Sequence, residues 1–308
     1  MSFIERNPII KEGDTVILFL SVNNHYPIEV TKYKKNKSGN YVENKFQTIY
    51  GHFDVMELVG KKYGTKFHLP RGWAYVLHPT CELWTKTLPH RTQIIYTPDI
   101  SLIIFGLDLA PGSIVIEAGT GSGSLSHAFI RTVYPTGHLY TFDFHEKRAD
   151  QAREEFQKHG LNSWVTVGHR DVISDGFDVE KPADAVFLDL PKPWEVVPHV
   201  QRSLKRGGKL CTFSPCIEQV QKTVEALKRS GEFVMIKTQE VLQRSNSIQY
   251  RILTSLDFSL DEAESASGKL VPIKKEQCKF RTLIPPPQSA GHTGYITFAT
   301  FVPGVSSS

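Results

Sequence analysis

The sequence predicts an α/β protein: a mostly parallel sheet covered on both faces, with an antiparallel terminal hairpin, preceded by a small all-β domain. Three observations predict it. Near-continuous apolar runs alternate with helical segments from residue 114 to residue 229, as in a buried parallel sheet. One such run, in residues 113–125, ends in glycines at 119, 121 and 123, which let a strand turn sharply into a helix close to a ligand. The first eighty residues instead carry short β-like runs between Gly, Asn, Pro and Lys clusters, the pattern of a small β domain.

The elements follow in order. Residues 15–20, 28–33, 46–50 and 73–77 read as strands of the first domain, expected over 1–80. Pro98-Asp99 opens an apolar helical run to Leu109. Strands are expected at 114–117, 138–144, 164–167, 185–189 and 209–213, with helices at 124–133, 146–159, 193–204 and 217–229. Two last strands, 233–242 and 295–302, have no helical segment between them. Residues 257–288, with Asp261-Glu-Ala-Glu-Ser-Ala-Ser-Gly and a triple proline at 285–287, bury little apolar surface and read as a mobile insertion in a hairpin. The second domain is thus expected over 81–308.

Composition narrows the function classes. The 308 residues are 40% apolar and 22% charged, which is ordinary for a soluble domain. There is no run of eighteen apolar residues for a membrane span. The start resembles neither a signal peptide nor a transit peptide. Cys81, Cys211, Cys216 and Cys278 include no CxxC pair, so neither zinc nor a disulfide framework is expected, and a reducing compartment fits. The net charge of +4 is concentrated in residues 1–72, with eleven Lys/Arg against seven Asp/Glu. Lys32, Lys34, Lys35 and Lys37 interleaved with Tyr33 and Tyr41 suit a phosphate backbone, or equally a solvated hairpin tip.

The glycine loop admits three readings. A dinucleotide loop wants a third glycine at 124, where Ser124 stands. A P-loop wants Gly-Lys-Ser/Thr, and no Lys follows. A mere tight turn does not need three glycines in five residues. The actual pattern, Glu117-x-Gly-x-Gly-x-Gly, resembles that of S-adenosylmethionine-dependent methyltransferases. Carboxylates then end three successive strands. Asp143 suits the ribose hydroxyls, and Arg148 is placed to orient it. Asp171 suits an adenine amino group, with Val172 against the ring. Asp189 lies in Phe187-Leu-Asp-Leu-Pro-Lys-Pro-Trp.

Together these residues resemble one family, the catalytic subunit of the eukaryotic tRNA adenine-58 N1-methyltransferase. Lys11-Glu-Gly-Asp-Thr, Arg71-Gly-Trp, Leu77-His-Pro-Thr-Cys-Glu-Leu-Trp, Leu88-Pro-His-Arg-Thr-Gln-Ile-Ile-Tyr, Asp189-Leu-Pro-Lys-Pro-Trp, Phe213-Ser-Pro-Cys-Ile-Glu-Gln-Val-Gln and Gly291-His-Thr-Gly-Tyr carry the resemblance. It implies a class I methyltransferase sheet of Rossmann-like order. It implies cofactor contacts from Gln93, Ile94, Ile95, Tyr96 and Thr97, from Ala118, Gly119, Thr120, Gly121, Ser122, Gly123, Ser124 and Leu125, and from Asp143, Arg148, Asp171, Val172 and Asp189. It also implies tRNA contacts from the first domain, Gly72, Trp73, Ser214, Pro215, Cys216 and His292. The implied assembly is a heterotetramer of two catalytic chains and two non-catalytic partners of similar fold, in the nucleus or also the cytoplasm, without a metal. Asp143 departs from the family's Glu, and Cys81 from its Pro.

Asp189 is the expected catalytic residue, accepting a hydrogen bond from the adenine N6 amine as N1 is methylated. His127, one turn past Gly123, reads as packing or capping, and Cys211 as core. Trp73, Trp84 and Trp194 stack on bases or, for at least two of them, pack in the core. Other classes remain: a methyltransferase for protein isoaspartate or a small molecule, a non-catalytic RNA-binding subunit of the same fold, and a nicotinamide dehydrogenase. The intact glycines and Asp189 oppose the second, and Ser124 opposes the third.

Overall fold

In a computed structural model, which describes residues 3–4, 6–36, 38–88, 92–257, 274–288 and 293–304, the amino-terminal runs enclose a small core of their own. Strands β1 (Thr15–Ser21) and β2 (Asn24–Glu29) pair antiparallel, from Thr15↔Glu29 to Phe19↔His25. Two small hairpins follow, β3 (Tyr33–Lys35) with β4 (Tyr41–Glu43), and β5 (Lys45–Thr48) with β6 (Gly51–Asp54). β7 (Thr65–Leu69) and β8 (Gly72–Leu77) complete a sheet of order β2-β1-β8-β7. Val16 and Leu18 point inward at the strand period of two and pack with Ile28, Phe53, Leu58, Phe67 and Val76. Two expected strands are corrected. The 28–33 run is divided, because β2 stops at Glu29 and the chain turns before β3. The 46–50 run stops at Thr48, where residues 49–50 form the turn into β6. Pro27 sits within β2, an edge strand, where a missing N–H has an unpaired side to face.

Helices α1 (Cys81–Thr87) and α2 (Thr97–Gly106) lead into the large sheet. α1 is capped by Thr80, whose Oγ1 accepts from Leu83 N at 3.3 Å. The chain then alternates through β9 (Ile114–Ala118), α3 (Ser124–Val133), β10 (His138–Asp143), α4 (Glu146–Lys158), β11 (Val165–His169), α5 (Val172–Asp175), β12 (Ala183–Leu188), α6 (Val197–Ser203), β13 (Leu204–Ser214), α7 (Ile217–Ser230) and β14 (Phe233–Gln239). A long hairpin of β15 (Ser247–Asp257) and β16 (Lys274–Ile284) precedes the last strand, β17 (Tyr295–Phe301).

The seven strands lie in the order β11-β10-β9-β12-β13-β17-β14. The first five run parallel, and β17 is antiparallel to both β13 and β14. Alternate residues serve opposite faces. Val115, Phe187 and Cys211 pack with Ile103 of α2 and Phe129 of α3, while Ile116, Val186 and Leu210 pack with Val200 of α6 and Leu227 of α7. This is the predicted α/β class. Its strand order reverses direction between β10-β9 and β12, so a crevice opens where the carboxyl ends of these strands meet.

Two compact units divide the chain. One holds residues 1–241 and 293–308, and the other holds 242–292. Within the second, β15 and β16 pair antiparallel over eleven residues each, from Ser247↔Ile284 to Asp257↔Lys274. Residues 274–284 of the insertion expected over 257–288 form β16. Their apolar residues pair across strands, Ile248 with Leu283 and Leu253 with Cys278, which supports a ladder. Residues 258–273 lie outside the described residues.

Candidate active site

The crevice is built from strand-end turns bonded to one another. After β9, Gly119 N donates to Phe142 O of β10 at 2.8 Å, and Asp189 N after β12 donates to Ala118 O at 2.9 Å. Gly119, Gly121 and Gly123 all have positive φ, at 99°, 54° and 76°, a region that favours glycine. A Cβ at Gly119 would sit 2.4 Å from the Asp189 carbonyl oxygen, and one at Gly121 would sit 2.8 Å from Thr92 Oγ1. Gly119 is thus required by neighbouring backbone as well as by the turn, and Gly121 by the turn and by the Thr92 side chain beside it. The cleft is lined by residues 92–95, Glu117, residues 119–125, Phe187 and Asp189.

Three carboxylates face this loop region. Asp143 is buried and hydrogen-bonded at both oxygens. Its Oδ2 accepts from Gly121 N at 3.1 Å, and Oδ1 accepts from His145 N at 2.9 Å and Arg148 Nε at 3.0 Å. The orienting contact expected of Arg148 is therefore present, and Asp143 also braces the glycine loop. Glu117 is buried; its Oε2 accepts from Ser126 Oγ at 2.5 Å and Thr141 Oγ1 at 2.7 Å. Burial pushes its carboxyl up to about 7, with Asp189 and Asp143 nearby adding to the rise and the two hydroxyls opposing it. Burial likewise pushes Asp189 up to about 6. Asp171 caps α5, with Oδ1 accepting from Ile173 N and Oδ2 from Ser174 Oγ, both at 3.0 Å, and Val172 beside it is buried.

A second wall comes from the segment ahead of α2. Ser124 Oγ donates to Ile95 O at 3.0 Å, and Thr92 N donates to Ser122 Oγ at 3.3 Å. Ile94 and Ile95 are buried, whereas Gln93 and Tyr96 are exposed, and Thr97 begins α2. The structure brings together Gln93–Ile95, the glycine loop, Asp143, Arg148 and Asp189. Glu117, Thr92 and Phe187 join them without having been assigned a role. Glu117 was legible, since it opens the glycine pattern; Thr92 and Phe187 carried no chemical signal.

A family model described as the GCD14 subunit of the tRNA methyltransferase complex matches residues 72–301. The chain belongs to this family. It is 40% identical over 317 residues to the tRNA (adenine(58)-N(1))-methyltransferase catalytic subunit of Dictyostelium discoideum, covering 96% of this chain and 98% of that one. It is 45% identical over 238 residues to the corresponding TRM61 subunit of Candida albicans, covering 75% and 68%. Among solved structures, a SAM-dependent O-methyltransferase from Thermotoga maritima superposes with a TM-score of 0.75 at 29% identity, covering 96% of this chain and 95% of that one. The tRNA (m1A58) methyltransferase TrmI of Aquifex aeolicus shares the fold, with a TM-score of 0.68 at 23% identity over 96% and 99% of the two chains.

The residues this GCD14-family chain was expected to present to tRNA are spread out. Trp73 on β8 is 42% exposed, with Lys66 Nζ 4.4 Å from its ring centroid. Gly72 packs under Tyr50, whose ring would lie 2.7 Å from a Cβ there. Ser214 ends β13 fully buried, its hydroxyl without a hydrogen-bond partner among the described residues. Pro215 and Cys216 are exposed, and Cys216 caps α7. His292 lies outside the described residues, as do Pro89 and His90. His127 is buried on α3 with its Nδ1 2.6 Å from Gly123 O, consistent with packing and capping. Trp84 is buried.

Proposed function

We propose that this chain is the catalytic subunit that transfers a methyl group from S-adenosylmethionine to N1 of adenine 58 in the T-arm of tRNA. The observation that carries this reading is Asp189, held at the carboxyl end of β12 against the glycine loop, within a chain of the GCD14 family. The cleft suits the cofactor: the glycine turn leaves no side chain between backbone and ligand, and Asp143 and Asp189 place carboxylates at the strand ends beside it. Bound S-adenosylmethionine supplies an electrophilic methyl on a positively charged sulfur. In this reading Asp143, braced by Arg148, holds the ribose, Asp171 and Val172 flank the adenine ring, and residues 93–97 close the other side.

Adenine N1 already carries a lone pair, so the chain supplies no base to create the nucleophile. Positive charge then spreads into the ring and makes N6–H more acidic. Asp189 accepts that proton's hydrogen bond. Its burial raises it to about 6, so at neutral pH it is ionised yet poorly hydrated, which strengthens it as an acceptor. Most of the acceleration comes from holding N1 and the methyl in line. The adenine must first be drawn out of its stack.

The active assembly in this reading is a nuclear heterotetramer of two such chains and two non-catalytic paralogues. Exposed Trp73 beside Lys66 supports an RNA-facing first domain. The test is co-expression with candidate partner subunits, followed by mapping of methylated adenines in total tRNA. Methylation at position 58 that appears with a partner and disappears in Asp189→Ala supports the reading. Wild-type turnover by Asp189→Ala, or full activity from the single chain, refutes the catalytic assignment or the assembly respectively.

A further inference from the structure

A run of hydrogen bonds reaches the glycine loop from the amino-terminal segment. Gly123 caps α3, and its carbonyl accepts twice from His127: from the main-chain N–H at 3.1 Å and from ring Nδ1 at 2.6 Å. A carbonyl can only accept, so Nδ1 carries a proton and, in the neutral ring, Nε2 is an acceptor. His159 Nδ1 lies 2.9 Å from that Nε2 and, opposite a neutral His127 ring, donates to it; the Glu155 carboxylate lies within 4.8 Å of the pair. The His159 carbonyl in turn accepts Phe3 N–H at 3.0 Å, and the Phe3 ring packs 4.1 Å from the His159 ring and 5.1 Å from that of His127. Both imidazoles are buried.

The peptide that carries the Gly123 carbonyl also carries the Ser124 N–H, and the unit is planar. Glycine, with no Cβ to restrict ψ (11° at Gly123), lets that plane rotate at little cost. Pinning the oxygen on one side therefore fixes the direction of the N–H on the other, at the start of α3 and on the cleft wall. Leu or Ala at position 127 keeps the helix but removes the second clamp.

We propose that His127 is a positioning residue for cofactor binding, clamping the Gly123–Ser124 peptide, with His159 and Phe3 holding its ring in the donating orientation. The proposal rests on the glycine loop being an S-adenosylmethionine site.

The experiment is calorimetric titration of the full chain with S-adenosylmethionine, alongside thermal melts, for wild type, His127→Asn, His127→Gln, His127→Leu and Phe3→Ala. Asn places an amide N–H where Nδ1 stands, and Gln does not. Loss of one such bond is expected to weaken binding roughly three- to tenfold in Leu and Gln, with Asn close to wild type and Phe3→Ala between. Equal affinities for Asn and Gln overturn the proposal, and that comparison stands even if the Leu variant fails to fold. Wild-type affinity that is abolished by a chelator and restored by zinc also overturns it, because His127, Glu155 and His159 would then be holding an ion. If wild type binds no S-adenosylmethionine at all, the underlying cofactor reading fails instead.

Discussion

Replacing Asp189 by Asn should make the protein more stable while abolishing methyl transfer. The cause is the burial that lifts this carboxyl from 3.8 to about 6. Below about pH 4 both folded and unfolded chains hold the proton, and the residue contributes nothing. Between about pH 4 and 6 the unfolded chain ionises first, so folding loses ground as pH rises. Above about pH 6 the whole cost of a buried charge is present, on the order of 3 kcal/mol. Asn keeps the shape without the charge, so its gain should grow from near zero at pH 4 to about 3 kcal/mol at pH 7.5. At roughly 2–4 °C per kcal/mol this raises the melting temperature by about 6–12 °C. The carboxyl of Glu117 should fall, because Asp189 is one of the charges that raise it. Urea unfolding of both proteins from pH 4 to 8, with tRNA methylation by each co-expressed with its partner subunit, tests the chain of reasoning. A gain independent of pH, or no gain at all, refutes burial as the origin of the raised carboxyl.

Three further outcomes are expected. Asp143→Ala removes the acceptor for Gly121 N, His145 N and Arg148 Nε; it should weaken S-adenosylmethionine binding more than about tenfold and cost about 1–3 kcal/mol in stability, whereas Asp143→Glu should retain binding by calorimetry. Gly119→Ala forces a side chain to φ 99° and within 2.4 Å of the Asp189 carbonyl, so chemical denaturation should show a loss of at least about 1–3 kcal/mol, with activity lost as the β12 turn is displaced. Trp73→Ala should weaken tRNA binding by about 1–3 kcal/mol in gel-shift titration while leaving S-adenosylmethionine affinity unchanged.

The parallel half of the sheet was legible because its strands are buried on both faces and read as unbroken apolar runs between helices. The glycine pattern and the carboxylates at strand ends marked the crevice for the same reason: they interrupt that texture at fixed places. Where one face is wet or the strand is short, the signal faded. β7 alternates Thr, Lys and His with only Phe67 and Leu69 turned inward, too little contrast to stand out beside Gly64 and Gly72. β15 and β16 mix Arg, Lys and Gln with apolar residues, and their order comes from each other rather than from a core. The Gly123–His127–His159 run was invisible, because its links join α3 to the end of α4 and to Phe3, far apart in sequence. His127 on its own pointed only to a filled space.

The position of β17 between β13 and β14 has a bearing on how this chain can vary. Among the described residues β14 pairs in the sheet with β17 alone, so residues 240–294 are a bridge whose two ends must meet whatever lies along it. Closing such a bridge grows costlier only with the logarithm of its length, about 0.6 kcal/mol per doubling. A change in the length of that stretch therefore carries little penalty for closing the sheet.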